Sequence, residues 1–156
     1  MKFNEPLHQF FSRWGLLMAL LLALGLLALP GCKKVKEDIM QSYFENNILN
    51  SDFVVDYAVD NGTDITTQFS GWVFRLTKHT NYDGPMTAKN GGLTYSGTWQ
   101  SNEDYGKLTI QINQPTVPTH FEFLNRAWRF REKNLPVMKL APWGSTAPTD
   151  LYMRRL

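Results

Sequence analysis

The chain has one cysteine, Cys32, and three histidines, which are residue types that act as nucleophiles, bases or metal ligands. Cys32 directly follows Leu29, Pro30 and Gly31, and residues 16–29 form an apolar run interrupted only by Gly25. A branched apolar residue, two small or turn-forming residues and a cysteine make a pattern at which bacterial precursors are cleaved and acylated. The chemistry that this spacing indicates is attachment of acyl chains, such as palmitate, to the thiol and the new amino group of Cys32.

The residues before Cys32 have the three parts of a cleavable leader: a basic start with Lys2 and Arg13, an apolar core and a small residue before the cut. A transmembrane helix needs about 20 apolar residues, more than this core supplies. We therefore expect a lipoprotein signal peptide over 1–31 and a lipid-anchored protein of the bacterial cell envelope, in the outer membrane. An uncleaved membrane anchor is the alternative.

Composition limits what the remainder can be. Residues 33–156 contain no cysteine, so no disulfide braces the fold even in an oxidising compartment. The formal net charge is +2, which provides no general attraction to nucleic acid. The length suits one domain, whose stability must come from burial of its many aromatic side chains.

The segment 32–50 should join the lipid to this domain. Lys33 to Asp38 is charged, and we expect a flexible tether there. Residues 37–50 predict a short helix, with Ile39 and Tyr43 together on one face at i, i+4 spacing and Phe44 beside them.

From residue 51 onward apolar side chains recur at every second position. Residues 93–99 alternate most clearly, and Asn61-Gly62 is a strong signal for a tight turn. About eight or nine short strands follow one another, each apolar on one side only. We predict an all-β domain over 51–156: a small antiparallel up-and-down barrel, lipocalin-like, with its apolar face inward. A membrane-spanning barrel would need longer strands and aromatic girdles.

The order of turns and aromatic residues over residues 45–156 resembles the small lipocalin-like lipoproteins common in Bacteroidetes, most of which have no assigned role. The resemblance implies a lipocalin-like barrel, although Asn50–Phe53 stands where lipocalins often begin the first strand with Gly-x-Trp. The segments that carry the resemblance are 60–74, 97–99, 107–110, 123–125 and Trp128.

Other catalytic patterns are absent from the sequence. His79 lies near Asp83 in a turn, where a solvated histidine is expected, and His120 has no partner in the sequence at metal-ligand spacing. There is no Gly-x-Ser-x-Gly elbow and no phosphate-binding glycine loop. We therefore expect no enzyme activity, no catalytic residue, no metal and no cofactor.

The inward face allows two readings. It forms either a filled core or a pocket that carries a small apolar ligand, because an eight-stranded barrel has room for only one of these. The many bulky residues favour the filled core. The residues that would line a ligand pocket are Tyr57, Trp72, Phe74, Tyr95, Trp99, Trp128 and Phe130.

The outward face of the last three strands carries cations, and closure of the barrel would bring Asp56 next to Arg154. The alternative to a functional patch is an ordinary solvated face. The candidate partners of such a patch are anionic lipid, a glycan or an envelope protein. We predict a binding or interaction module at the membrane surface, with a carrier of a small apolar ligand as the alternative. The predicted basic patch consists of Arg129, Arg131, Lys139 and Arg154.

Overall fold

The computed structural model describes residues 29–114, 116 and 118–156. Most of the predicted signal peptide therefore lies outside the described residues. The chain divides into two compact units, Met1–Asp38 and Ile39–Leu156, and the second unit contains all the strands. The elements are α1 (Leu29–Asn47), β1 (Asp52–Asp60), β2 (Thr63–Asp64), β3 (Val73–Leu76), β4 (Asp83–Asn90), β5 (Leu93–Ser101), β6 (Lys107–Gln114), β7 (Ala127–Glu132), β8 (Val137–Pro142) and β9 (Asp150–Arg155), with short 3₁₀ helices at Thr66–Phe69 and Thr119–Phe123.

The strands form a closed barrel. From β3 to β9 each strand pairs antiparallel with the next one along the chain, and β1 pairs antiparallel with both β3 and β9. The two-residue strand β2 is an addition beside β1. Closure leaves the eight main strands without a free edge along the wall. The predicted fold class, a small antiparallel up-and-down barrel with an N-terminal helix, is confirmed.

The alternation of side chains places the predicted apolar face inside the barrel. Phe53, Leu76, Leu108 and Met153 come from four different strands and are all fully buried in one cluster. Burial of apolar surface on this scale is the main source of stability in a domain without disulfides. The core therefore follows from the period-two pattern of the sequence.

Tyr57 is the exception, and its predicted inward position is wrong. The β1–β9 register pairs Val55 with Met153 and Tyr57 with Tyr152, which leaves Asp56 as an extra residue in β1. Such a β-bulge reverses the side chains that follow it. Tyr57 is consequently 39% exposed on the outer wall, and Ala58 takes the buried position.

The helix differs from its prediction in extent, and of the predicted face Phe44 is buried but Ile39 is not. It begins at Leu29, so the segment 33–38 is helical where we expected a flexible tether. Lys and Glu are good helix formers, and Pro30 is tolerated because it lies in the first turn. Within the second unit Phe44 is fully buried, whereas Ile39 is 58% exposed. Asn50, which has a left-handed conformation (φ 57°), closes the turn after the helix.

Candidate functional site

The predicted pocket-lining residues lie mainly in the barrel interior. Trp72, Phe74, Trp99 and Trp128 are buried there, and Tyr95 and Phe130 are partly buried against the same cluster. Tyr57 lies outside it. Whether the six inner residues ever contact a ligand remains a prediction, so the question becomes what occupies the space between them.

One end of the barrel is filled by Phe44 from α1. Its ring centroid lies 5.4 Å from that of Trp99, 4.9 Å from that of Tyr105 and 6.2 Å from that of Phe130. Aromatic pairs in this distance range stabilise each other beyond the area that they bury. Phe44 therefore acts as an aromatic plug at the end of the barrel where β1 begins.

The opposite end is filled by Phe121 from the 3₁₀ helix Thr119–Phe123. Its ring lies 4.8 Å from Trp72 in an edge-to-face arrangement, 5.5 Å from Tyr95 and 6.0 Å from Phe74. Phe121 is fully buried by these contacts. Three of the predicted pocket-lining residues therefore pack against a side chain of the same protein and not against a ligand.

Three polar side-chain groups of the interior have hydrogen-bond partners within the chain. The indole nitrogen Nε1 of Trp99 donates to the Thr77 carbonyl oxygen at 2.8 Å, and that of Trp128 donates to the Leu124 carbonyl oxygen at 3.0 Å. The Tyr105 hydroxyl donates to the Asn81 carbonyl oxygen at 2.8 Å, and burial raises its pKa to about 12. These donors hold loops against the barrel and are not free to orient a ligand.

Gly84 allows one of these loops to approach the wall. A Cβ atom at this position would lie 1.9 Å from the Thr77 carbonyl oxygen and 2.9 Å from Trp99 Nε1. Only glycine permits such contact of backbone with backbone. The residues Asp83-Gly84-Pro85 predict an interruption between strands, because glycine and proline mark turns. In the structure they lie inside β4.

His120, which is partly buried, carries one of the two buried polar side-chain atoms of the described residues that have no hydrogen-bond partner; the other is Asp150 Oδ1. The Nε2 atom of His120 is buried and has no hydrogen bond, while its ring packs against Phe121 at 4.8 Å and Phe69 at 5.5 Å. Burial lowers the pKa of this imidazole, because the charged form would lose its hydration. Burial therefore favours the neutral form of His120 beside the Phe121 plug.

An open depression of about 350 Å³ lies on the surface near His79 and Asp83, together with Thr98 and Gln100. His79 Nδ1 is 3.3 Å from the Asp83 carboxylate, and both side chains are well exposed. Among the described residues there is no cluster of three or more side chains suited to hold a metal ion. The depression offers one exposed histidine–carboxylate pair.

The predicted basic patch lies on the outer wall, but carboxylates accompany most of it. Arg154 Nε lies 3.0 Å from Asp56 Oδ1, which confirms the expected meeting of β9 with β1. Lys139 Nζ lies 3.0 Å from Glu132. Arg131 Nη1 lies 2.9 Å from Asp150 Oδ1, although no hydrogen-bond geometry joins these two atoms.

Arg129 has a different neighbour from the other three cations. It faces Lys107 across the β6–β7 pair and is exposed to solvent. The predicted basic patch therefore combines Arg129 with three cations that have carboxylates beside them. Because the carboxylates offset most of these positive charges, the four residues do not produce a strongly positive field.

The outer wall also carries an aromatic pair. The rings of Tyr57 and Tyr152 lie 5.1 Å apart at an angle of 48°, and Lys139 Nζ lies 5.6 Å from the Tyr152 ring. Alternation places Tyr152 outward from the sequence, but the bulge that brings Tyr57 beside it involves neither glycine nor proline. No signal in the sequence therefore marks this pair.

Cys32 lies within the backbone span of α1, and the structure describes nothing of its side chain. Its acylation remains a prediction. Within the described part of the chain, no helix has the length and hydropathy needed to cross a bilayer.

The fold defines the structural class of the protein, which is a closed eight-stranded antiparallel barrel with aromatic plugs at its two ends. No family model matches the chain, and no curated protein matches it. Among solved structures, it is similar to a DUF4847 family protein from Bacteroides vulgatus, with a TM-score of 0.49 and 18% sequence identity. The match covers 70% of this chain and 95% of that one.

Proposed function

We propose that this protein is a lipid-anchored, non-enzymatic member of the bacterial cell envelope, and that it binds its partner through the outer wall of a lipocalin-like barrel. The observation that supports it best is the occupied interior. Phe44 and Phe121 pack against the aromatic residues that would otherwise line a pocket. Recognition then depends on groups outside the barrel.

The anchor in this proposal is the acylated Cys32, which follows the leader 1–31. Stable attachment takes more than one acyl chain, which the thiol and amino group of the processed cysteine supply together. Lys33 after the cysteine agrees with a position in the outer membrane. The test is expression of the full-length chain in a bacterium, with mass spectrometry of its N-terminal peptide. A diacyl or triacyl Cys32 is expected, and Cys32→Ser should abolish it. An unmodified Cys32 in an uncleaved chain would contradict the anchor.

The alternative function is transport of a small apolar ligand inside the barrel. Native mass spectrometry of the chain from residue 32 with Cys32→Ser separates the two functions. We expect the bare polypeptide mass, because the chain's own rings fill the interior. A discrete extra mass that disappears on denaturation would overturn the binding-module proposal in favour of the carrier.

The basic patch has its own test. If Arg129 and Arg131 hold anionic lipid, their replacement by serine should reduce binding to vesicles containing phosphatidylglycerol. Because Arg131 lies beside Asp150, we expect a small effect for it and a larger one for Arg129. Equal binding by the wild type and both variants would exclude the patch as a lipid site.

A further inference from the structure

The outer wall holds an aromatic pair that ordinary strand alternation would not create. The bulge at Asp56 turns Tyr57 outward, and the β1–β9 register places it opposite Tyr152. Bulges often re-aim a side chain at sites that bind ligands. Tyr57 is an exposed aromatic side chain of the barrel wall.

Two ion pairs border these rings. Arg154 contacts Asp56, and Lys139 contacts Glu132, each at 3.0 Å. All four charged side chains are more than a third exposed. The border therefore offers charged hydrogen-bond donors and acceptors in equal number and carries no net formal charge.

This combination matches the chemistry of a neutral sugar. The C–H groups of a sugar ring carry slight positive charge, so they pack favourably on the negative face of a tyrosine ring. Its hydroxyl groups both donate and accept hydrogen bonds, which suits a border with both carboxylates and cations. An anionic ligand would instead gain little from cations whose charge is already offset.

We propose that Tyr57 and Tyr152, bordered by Asp56, Glu132, Lys139 and Arg154, bind a neutral glycan; this surface is the tyrosine face. The inference rests on the proposed function, since it names the partner class of the outer wall. Because Lys139 Nζ lies over the Tyr152 ring at 5.6 Å, we expect a sugar ring to pack mainly on Tyr57, which is tilted by 48° against Tyr152 and supported by it.

The experiment starts with an array of neutral oligosaccharides, probed with the fluorescently labelled chain from residue 32 carrying Cys32→Ser. The wild type should bind at least one neutral oligosaccharide, whose Kd is then measured by isothermal titration calorimetry. Tyr57→Ala and Tyr152→Ala should each weaken binding at least tenfold, whereas Tyr57→Phe should stay within threefold of the wild type. Trp143→Ala is the matched control, because Trp143 is an exposed ring (47%) in the loop after β8, and it should leave the Kd unchanged.

Several results would overturn the inference. The first is that the wild type binds no neutral oligosaccharide of the array. The second is that Tyr57→Ala and Tyr152→Ala both leave the Kd unchanged. A third is self-association that Tyr57→Ala abolishes, which would make the tyrosine face a contact between two copies of this chain. Binding to phosphatidylglycerol vesicles that requires Arg129 but not Tyr57 would assign the wall to anionic lipid.

Failure of the inference is distinct from failure of the proposed function. A ligand mass retained equally by the wild type and by Tyr57→Ala would show that the barrel holds a ligand inside, and would refute the binding module itself. Thermal unfolding of each tyrosine variant should match the wild type within a few degrees, since both side chains project from the wall. A variant that unfolds early is replaced by Tyr57→Ser or Tyr152→Ser, and the Kd is measured again.

Discussion

Phe44 is the residue whose removal tests the filled interior most directly. It is fully buried and packs against Trp99, Tyr105 and Phe130. Replacing a buried phenylalanine by alanine removes its transfer free energy and leaves a cavity, a combined cost of about 3–5 kcal/mol. Since three aromatic neighbours lose their partner, we expect Phe44→Ala to fall in the upper half of that range.

In a domain of this size, each kcal/mol lost lowers the melting temperature by roughly 4 °C. Phe44→Ala should therefore lower Tm by about 16–20 °C, with a matching fall in the denaturant midpoint and an unchanged m-value. Ile39→Ala on the same helix is the matched control, because Ile39 is largely exposed, and it should cost under about 0.5 kcal/mol.

The cavity left by Phe44→Ala should also bind a small apolar probe. Engineered apolar cavities stay dry and take up benzene, so benzene should raise the Tm of the variant and leave that of the wild type unchanged. A loss of stability no larger than that of Ile39→Ala would refute the plug. Stabilisation of the wild type by benzene would show that the interior is open.

Three further outcomes follow from the same contacts. Gly84→Ala should lower the free energy of unfolding, measured in urea, by about 1–3 kcal/mol, because its Cβ would lie 1.9 Å from the Thr77 carbonyl oxygen. Gly92→Ala is the control and should be nearly neutral, because its Cβ would meet nothing within 4 Å. Equal effects of the two substitutions would contradict the close approach at Gly84. The lowered pKa of His120 means that the unfolded chain binds the proton more readily, so its contribution to stability is present above pH 6.5 and is lost as pH falls towards the folded pKa. His120→Phe should flatten this part of the pH profile, and an unchanged slope in His120→Phe would refute the assignment. Asp56 and Arg154, both exposed, should couple by only about 0.5 kcal/mol in a double-mutant cycle, less at high salt; a coupling above 2 kcal/mol would show that the pair is shielded from solvent.

The parts of the fold that the sequence predicts are those governed by local rules. Alternation marks the strands, and Asn61-Gly62, which adopts positive φ at both residues (49° and 84°), marks a hairpin turn. The burial of Trp99 and Trp128 follows from alternation together with their size. Antiparallel order then follows because short turns leave each strand beside its predecessor.

What the sequence does not predict depends on register or on competition between local preferences. Nothing in Asp56 or its neighbours announces an extra residue in β1, because the bulge arises when β1 and β9 pair. The ion pair between Lys139 and Glu132 likewise depends on a register shift after Phe130. The early start of α1 reflects helix formers in a segment whose charge suggests a solvated tether.

The aromatic side chains inside the barrel and those on its outer wall are expected to have different roles, in stability and in binding respectively. An eight-stranded barrel holds either its own side chains or one small ligand, and here Phe44 and Phe121 fill that space. Under the proposed function, recognition uses the wall, where alternation would leave mostly polar groups and the bulge instead supplies the ring of Tyr57. Substitution at Phe44 should therefore reduce stability first, whereas substitution at Tyr57 or Tyr152 should reduce binding while stability is kept. A protein that carried its ligand inside would show the opposite coupling, because the same aromatic residues would then serve both the core and the site.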